Sequence, residues 1–147
     1  MVPPVGEAGQ AARRQPSYRG AVAERARIDD LLADARRDLD RVVATSLSAE
    51  MAAGALVVDT RPVEQRRRDG ELPGAVVIDR NVLEWRLDPT CPHHIPEAAD
   101  ADRRIILVCN EGFSSSLAAA TLRQLGLRNA TDLEGGFQAW REFRDGG

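Results

Sequence analysis

Three short apolar runs, each closed by a turn or a polar residue and followed by helical character, set the terms for what this chain can fold into. Ala55-Leu56-Val57-Val58 ends at Asp59, Ala75-Val76-Val77-Ile78 follows the turn Pro73-Gly74, and Ile105-Ile106-Leu107-Val108 ends at Cys109. A weaker fourth run, Thr131 to Leu133, leads into Glu134-Gly135-Gly136, and Val42-Val43 can begin another short strand. Runs of this length, rich in β-branched residues, suit strands covered on both faces. Their alternation with helical stretches predicts an α/β domain built on a parallel sheet.

The helices are expected between those runs. Ser46 or Ser48 caps one through Ala53, with Gly54 ending it. Pro62 starts a charged one that stops near Gly70, its Arg66-Arg67-Arg68 cluster forming a solvated face. Residues 81–87 read as helical, and the proline-rich segment Asp88 to Pro96 as loop. Ser114 to Leu125, closed by Gly126, is the clearest helix, and a last one holds Trp140. Ahead of the strands, Ile28, Leu31, Leu32, Ala35, Leu39 and Val42 recur at three- and four-residue steps. That stripe predicts an amphipathic helix over about 24–41 covering one side of the core, with Asp29, Asp30, Asp34, Arg36, Arg37 and Asp38 on its solvated face. Residues 1–22 mix Pro, Gly, Ala and Arg without period and read as a disordered tail, leaving 23–147 as one domain.

The bulk properties narrow the function. All 20 basic residues are arginine, yet the net charge is −3, which argues against a nucleic-acid partner. No apolar run is long enough to span a membrane, and the N-terminus lacks the apolar core of a signal peptide. Two cysteines in 147 residues do not make a disulfide framework; a reducing, cytoplasmic setting suits them.

Cys109 carries the chemistry. It stands where a strand run stops and a loop with a glycine and three serines opens into a helix. Reactive groups of open α/β sheets gather at such strand ends. A helix N-terminus offers unsatisfied N–H groups and partial positive charge. It can lower a cysteine pKa by one to several units from about 8.5. Gly112 permits a tight turn, and Ser114, Ser115 and Ser116 can cap the helix or hydrogen-bond the sulfur. This context fits a nucleophilic thiolate or persulfide, and equally an inert buried thiol.

Four motifs in order carry a family likeness. Cys109-Asn110-Glu111-Gly112-Phe113-Ser114-Ser115 resembles the C-x-x-G-x-S-S active-site loop of the rhodanese, or thiosulfate sulfurtransferase, family. Val57-Val58-Asp59-Thr60-Arg61 is similar to its D-x-R strand end. Leu72-Pro73-Gly74-Ala75 is similar to its I-P-G-A turn, though Gly70-Glu71 stands where Gly-His is usual. Leu133-Glu134-Gly135-Gly136-Phe137-Gln138-Ala139-Trp140 matches the closing L-x-G-G-x-x-A-W segment. The likeness covers roughly residues 42–143. It implies a rhodanese-like α/β fold, a five-stranded parallel sheet with helices on both faces. It further implies a sulfurtransferase that needs no cofactor or metal. Cys109 would take sulfane sulfur from a small sulfur compound or protein donor, and pass it to a thiol, cyanide or protein acceptor. Asn110, Glu111, Gly112, Phe113, Ser114 and Ser115 would form the persulfide-binding loop. A non-catalytic binding or redox-sensing module of the same fold is the alternative.

The loop departs from the family in lacking a cation. Glu111 would repel doubly charged thiosulfate by about 1 kcal/mol if half exposed, so a persulfide or protein donor fits at least as well. Arg61 and Arg80, each two residues past a strand run, are candidates for lining the pocket; a salt bridge to Asp59 or Glu84 is the other reading. Trp85 and Phe113 are candidates for an apolar wall. Rival chemistries fit less well. A cysteine phosphatase needs an arginine six residues after the cysteine, where this chain has Ser115. The hydrolase elbow G-x-S-x-G ends here in Ser116, and the two histidines, His93 and His94, precede it. Cys91-Pro92-His93-His94 lacks the second ligand pair that a zinc site needs.

Overall fold

The computed structural model describes residues 25–146. The expected tail, residues 1–22, lies outside the described residues. Two units divide at Leu31 and Leu32. Of the first, residues 25–31 are described, all of them exposed, and they include the start of helix α1 (Ile28–Arg36).

From Leu32 onward the elements follow the alternation in the sequence. A 3₁₀ turn at Ala44–Ser46 leads into α2 (Leu47–Ala52), then β1 (Leu56–Asp59), α3 (Val63–Asp69) and β2 (Val76–Val77). A second 3₁₀ turn, Arg80–Val82, leads into α4 (Leu83–Leu87), and a third spans Pro96–Ala98. The chain ends with β3 (Ile105–Val108), α5 (Ser114–Gln124), β4 (Ala130–Asp132) and α6 (Gly136–Gly146). All strand pairs are parallel, in the order β2-β1-β3-β4. Leu56 to Asp59 pairs in register with Ile105 to Val108, so both central strands end at the same edge.

Every residue of β1 and β3 is buried, as strands covered on both faces must be. Alternate side chains feed two cores. Leu56, Val58, Ile105 and Leu107 pack with Leu83 and Leu87 of α4 and with Ala118, Ala119 and Leu122 of α5. Val57, Ile106 and Val108 pack on the other side with Leu47, Leu72, Leu133 and Phe137, flanked by Met51 and Trp140. Each such large side chain contributes about 1.5–3 kcal/mol by leaving water.

Two expectations change. The sheet among the described residues has four strands, not five: Val42 makes a single parallel bridge to Leu133 and no more. Its N–H donates to Asp132 O at 3.0 Å and its carbonyl accepts from Glu134 N at 2.7 Å. The backbone then turns at once into the 3₁₀ helix that begins at Ala44, which leaves no second residue to extend the ladder. The N-terminal helix is Ile28–Arg36, shorter than 24–41, and it buries no side chain. Leu39, beyond its end, does pack against the α4–α5 side of the core.

Candidate active site

The carboxyl ends of β1, β3 and β4 meet at one edge of the sheet. Thr60 N donates to Val108 O at 2.9 Å, and Leu133 N donates to Leu107 O at 2.9 Å. Cys109, the residue after β3, stands between them with 6% of its surface exposed.

The loop that follows turns back onto the sulfur. Gly112 N donates to Cys109 Sγ at 3.1 Å and Ser115 N at 3.4 Å. The turn depends on Gly112 having φ of +88°, where a side chain is strained, and a Cβ there would come 2.7 Å from Gly135 N. Gly136 is as constrained: a Cβ would meet Cys109 O at 2.5 Å. The start of α6 therefore lies directly against the loop backbone, with Phe137 N donating to Cys109 O at 2.8 Å and Gln138 N to Asn110 O at 3.1 Å. Gln138 Nε2 also donates to Asn110 Oδ1 at 2.9 Å.

Behind the sulfur lies a buried polar network. Cys109 Sγ donates to Ser115 Oγ at 3.2 Å, and Ser115 Oγ donates to Asp132 Oδ2 at 2.7 Å. Ser116 Oγ donates to the same Oδ2 at 2.7 Å. Arg41 closes the network, with Nε 2.9 Å from Oδ1 and Nη2 3.2 Å from Oδ2 of Asp132. Ser115, Ser116 and Asp132 are fully buried, so each of these contacts offsets a desolvation cost. Burial alone pushes the Cys109 thiol up. The Ser115 and Ser114 hydroxyls and the N–H groups of Ser115 and Gly112 outweigh it, so its pKa lies below the ordinary cysteine value.

The hydroxyl of Ser115 has one proton and two claimants. In the thiol form it serves Asp132 while its oxygen accepts from sulfur. A thiolate reverses the second contact, drawing the proton to sulfur, and Asp132 keeps Ser116 and Arg41. The site can thus hold either protonation state without stranding a buried charge.

The other expected residues lie at the rim of the loop or away from the sulfur. Glu111 and Ser114 are exposed, and Phe113 is 58% exposed at the loop rim. Arg61 is 2% exposed, paired with Asp59 at 2.7 Å, donating to Gly70 O at 2.9 Å and lying 3.6 Å over the Phe137 ring. Arg80 pairs with Glu84 at 2.9 Å. Among the described residues neither arginine hydrogen-bonds the 109–115 segment; both take the salt-bridge reading. Trp85 shares a cavity with Glu84, Asp88 and Leu125. Leu125 is roughly 16 Å along α5 from its Ser114 end, so Trp85 does not wall the sulfur. Cys91 is a half-buried free thiol whose sulfur accepts from His93 N at 3.4 Å.

Three participants went unread in the sequence: Arg36, Arg41 and Asp132. Arg36 was assigned to a solvated face, but it is half-buried, donating to Ser116 Oγ at 3.0 Å and Gly112 O at 2.8 Å. Asp132 did leave a signal, an acidic residue in the middle of the short strand run Thr131 to Leu133.

A strand end, a thiol under converging N–H groups and the packed Gly135-Gly136 turn form one unit, and comparison places it. The rhodanese-like domain model matches residues 43–143. This chain belongs to that family. It is 34% identical over 104 residues to a thiosulfate sulfurtransferase GlpE of Stutzerimonas stutzeri, covering 71% of this chain and 86% of the relative. It is 30% identical over 124 residues to the adenylyltransferase and sulfurtransferase UBA4 of Candida albicans, covering 80% of this chain but 25% of that protein. Among solved structures, a protein of unknown function from Rhodopseudomonas palustris, described as a possible tyrosine phosphatase, superposes with a TM-score of 0.74 at 30% identity. That match covers 82% of this chain and 93% of the other. Rhodanese membership agrees with the parallel sheet and the helices on both its faces, and GlpE-type relatives place the chain among sulfurtransferase homologues.

Proposed function

We propose that this rhodanese-family protein is a sulfurtransferase that carries sulfane sulfur on Cys109. The observation that carries the reading is the convergence of the Gly112 and Ser115 N–H groups on a sulfur whose pKa is lowered. A thiolate held there attacks the outer sulfur of a donor such as thiosulfate. The S–S bond of the donor breaks, sulfite leaves with the electron pair, and Cys109 becomes a persulfide. A thiolate or cyanide then attacks the outer sulfur and restores the Cys109 thiolate, with no net oxidation of the protein. Asn110, Glu111, Phe113 and Ser114 form the rim through which donor and acceptor enter. The exposed Glu111 carboxylate favours a donor of low negative charge, a small persulfide or a protein-bound one, over thiosulfate. Two free cysteines suit a cytoplasmic, reducing setting.

A phosphatase reading lacks its phosphoryl clamp. Ser115, which occupies the position of the needed arginine, faces Asp132, and a buried carboxylate opposes a phosphate dianion. The test is persulfide loading: incubate the protein with thiosulfate, then with glutathione persulfide, and weigh it intact. The expected result is a gain of one sulfur atom that is absent in Cys109→Ser and is discharged by cyanide. No gain with either donor would leave a binding or oxidant-sensing module of the same fold.

A further inference from the structure

The loop around Cys109 contains no cation, yet two guanidinium groups reach it from outside. Arg36 Nη2 donates to Gly112 O at 2.8 Å and Arg41 Nη2 donates to the same oxygen at 3.0 Å. Ser116 Oγ lies 3.3 Å from that oxygen, but its single proton serves Asp132 Oδ2 at 2.7 Å. Turning this carbonyl would break both guanidinium contacts. The same residue, Gly112, donates its own N–H to Cys109 Sγ at 3.1 Å. We propose that Arg36 and Arg41 are positioning residues for the sulfur cradle, holding Gly112 by its carbonyl so that its own N–H stays on Cys109 Sγ. Charge-assisted donors are the stronger ones, so two guanidinium groups hold this carbonyl more firmly than neutral donors would. Arg36 is tied to the loop at two further points, Ser116 Oγ at 3.0 Å and the Phe113 ring, whose centroid lies 5.8 Å from the guanidinium carbon. The positive charge absent from the loop sequence is thus supplied from the last residue of α1 and from Arg41 beyond it.

The proposal rests on the reading of Cys109 as a working thiolate, and it is separable from sulfur transfer. The charged groups bearing on the sulfur are Asp132 through Ser115, Arg41 through Asp132, Arg36 through Gly112 O, Glu111 on the loop, and the Asp59–Arg61 pair at the neighbouring strand end. Of these, Arg36 can be changed without leaving a buried carboxylate unpaired.

The experiment follows the thiolate by its ultraviolet absorbance and by iodoacetamide alkylation across pH, in the full chain with Cys91→Ser so that one thiol titrates. Arg36→Met is expected to raise the midpoint by about half a unit, so that alkylation at a fixed pH below it slows about threefold. Arg36→Lys is expected to recover most of that shift, which a purely structural role would not produce. If Arg36→Met fails to fold, Arg36→Gln removes the same charge and carries the same expectation. A folded variant lacking the charge whose midpoint equals that of the parent overturns the proposal. A low parental midpoint with no sulfur uptake from any donor overturns sulfur transfer alone and leaves the arginine positioning intact.

Discussion

Ser115 Oγ lies 2.7 Å from Asp132 Oδ2 and 3.2 Å from Cys109 Sγ, so one buried hydroxyl joins the carboxylate to the thiol. Ser115→Ala removes that joint while Asp132 keeps Ser116 and Arg41. Alkylation of Cys109 at pH 7 is expected to slow about tenfold, with a stability loss of about 1–2 kcal/mol. Alkylation kinetics and urea denaturation on the same sample check both figures.

Asp132→Asn should act on stability first. The change leaves the half-buried Arg41 facing a neutral amide, and breaking a pair of this kind costs about 3 kcal/mol. In the double variant Asp132→Asn/Arg41→Gln the loss is expected to fall short of the sum of the single losses, because the two groups share one interaction. A double-mutant cycle from denaturation curves measures it.

The acidity of Cys109 gives stability a pH slope. Its folded pKa is below the ordinary cysteine value of about 8.5, so the thiolate form contributes stability that is fully present above that ordinary value. The contribution is lost as pH falls through the folded pKa. Stability should therefore rise with pH across the interval between the two, and Cys109→Ala should remove that rise. Denaturation midpoints of parent and variant across that interval decide it.

Charge on the rim should govern donor choice. Glu111→Arg replaces an exposed repulsion with an attraction, a change of about 1 kcal/mol in total, and the KM for thiosulfate is expected to fall about fivefold with kcat nearly unchanged. The gain should shrink in high salt, because the group is exposed. An equal fall for an uncharged persulfide donor would count against an electrostatic cause.

Backbone closeness also governs the thiol. Gly112→Ala forces a Cβ to within 2.7 Å of Gly135 N at a positive φ. A cost of about 1–3 kcal/mol and loss of low-pH alkylation are expected, since the N–H of residue 112 is moved off the sulfur. Circular dichroism separates loss of the loop from loss of the sheet.

Local patterns made the strands, α5 and the position of Cys109 legible, because apolar runs and a capped helix are written in neighbouring residues. The Val42 strand was not, since two β-branched residues look alike whether they make a ladder or the single bridge to Leu133. The arginines were the harder case. Local position favours Arg61 and Arg80, two residues past strand runs, yet the fold brings Arg36 and Arg41 to the loop and stacks Arg61 on Phe137. Long-range pairing of side chains has no periodicity to read. Asp132 was the one exception, a charge inside a strand run.

Gly136, with no room for a side chain beside the Cys109 carbonyl, makes the last helix a latch on the reactive loop. Phe137, the next residue, is buried against Val57, Ile106 and Val108, so the same turn that holds the loop also seals one face of the sheet. Releasing it would blunt the thiol and loosen the protein in a single event.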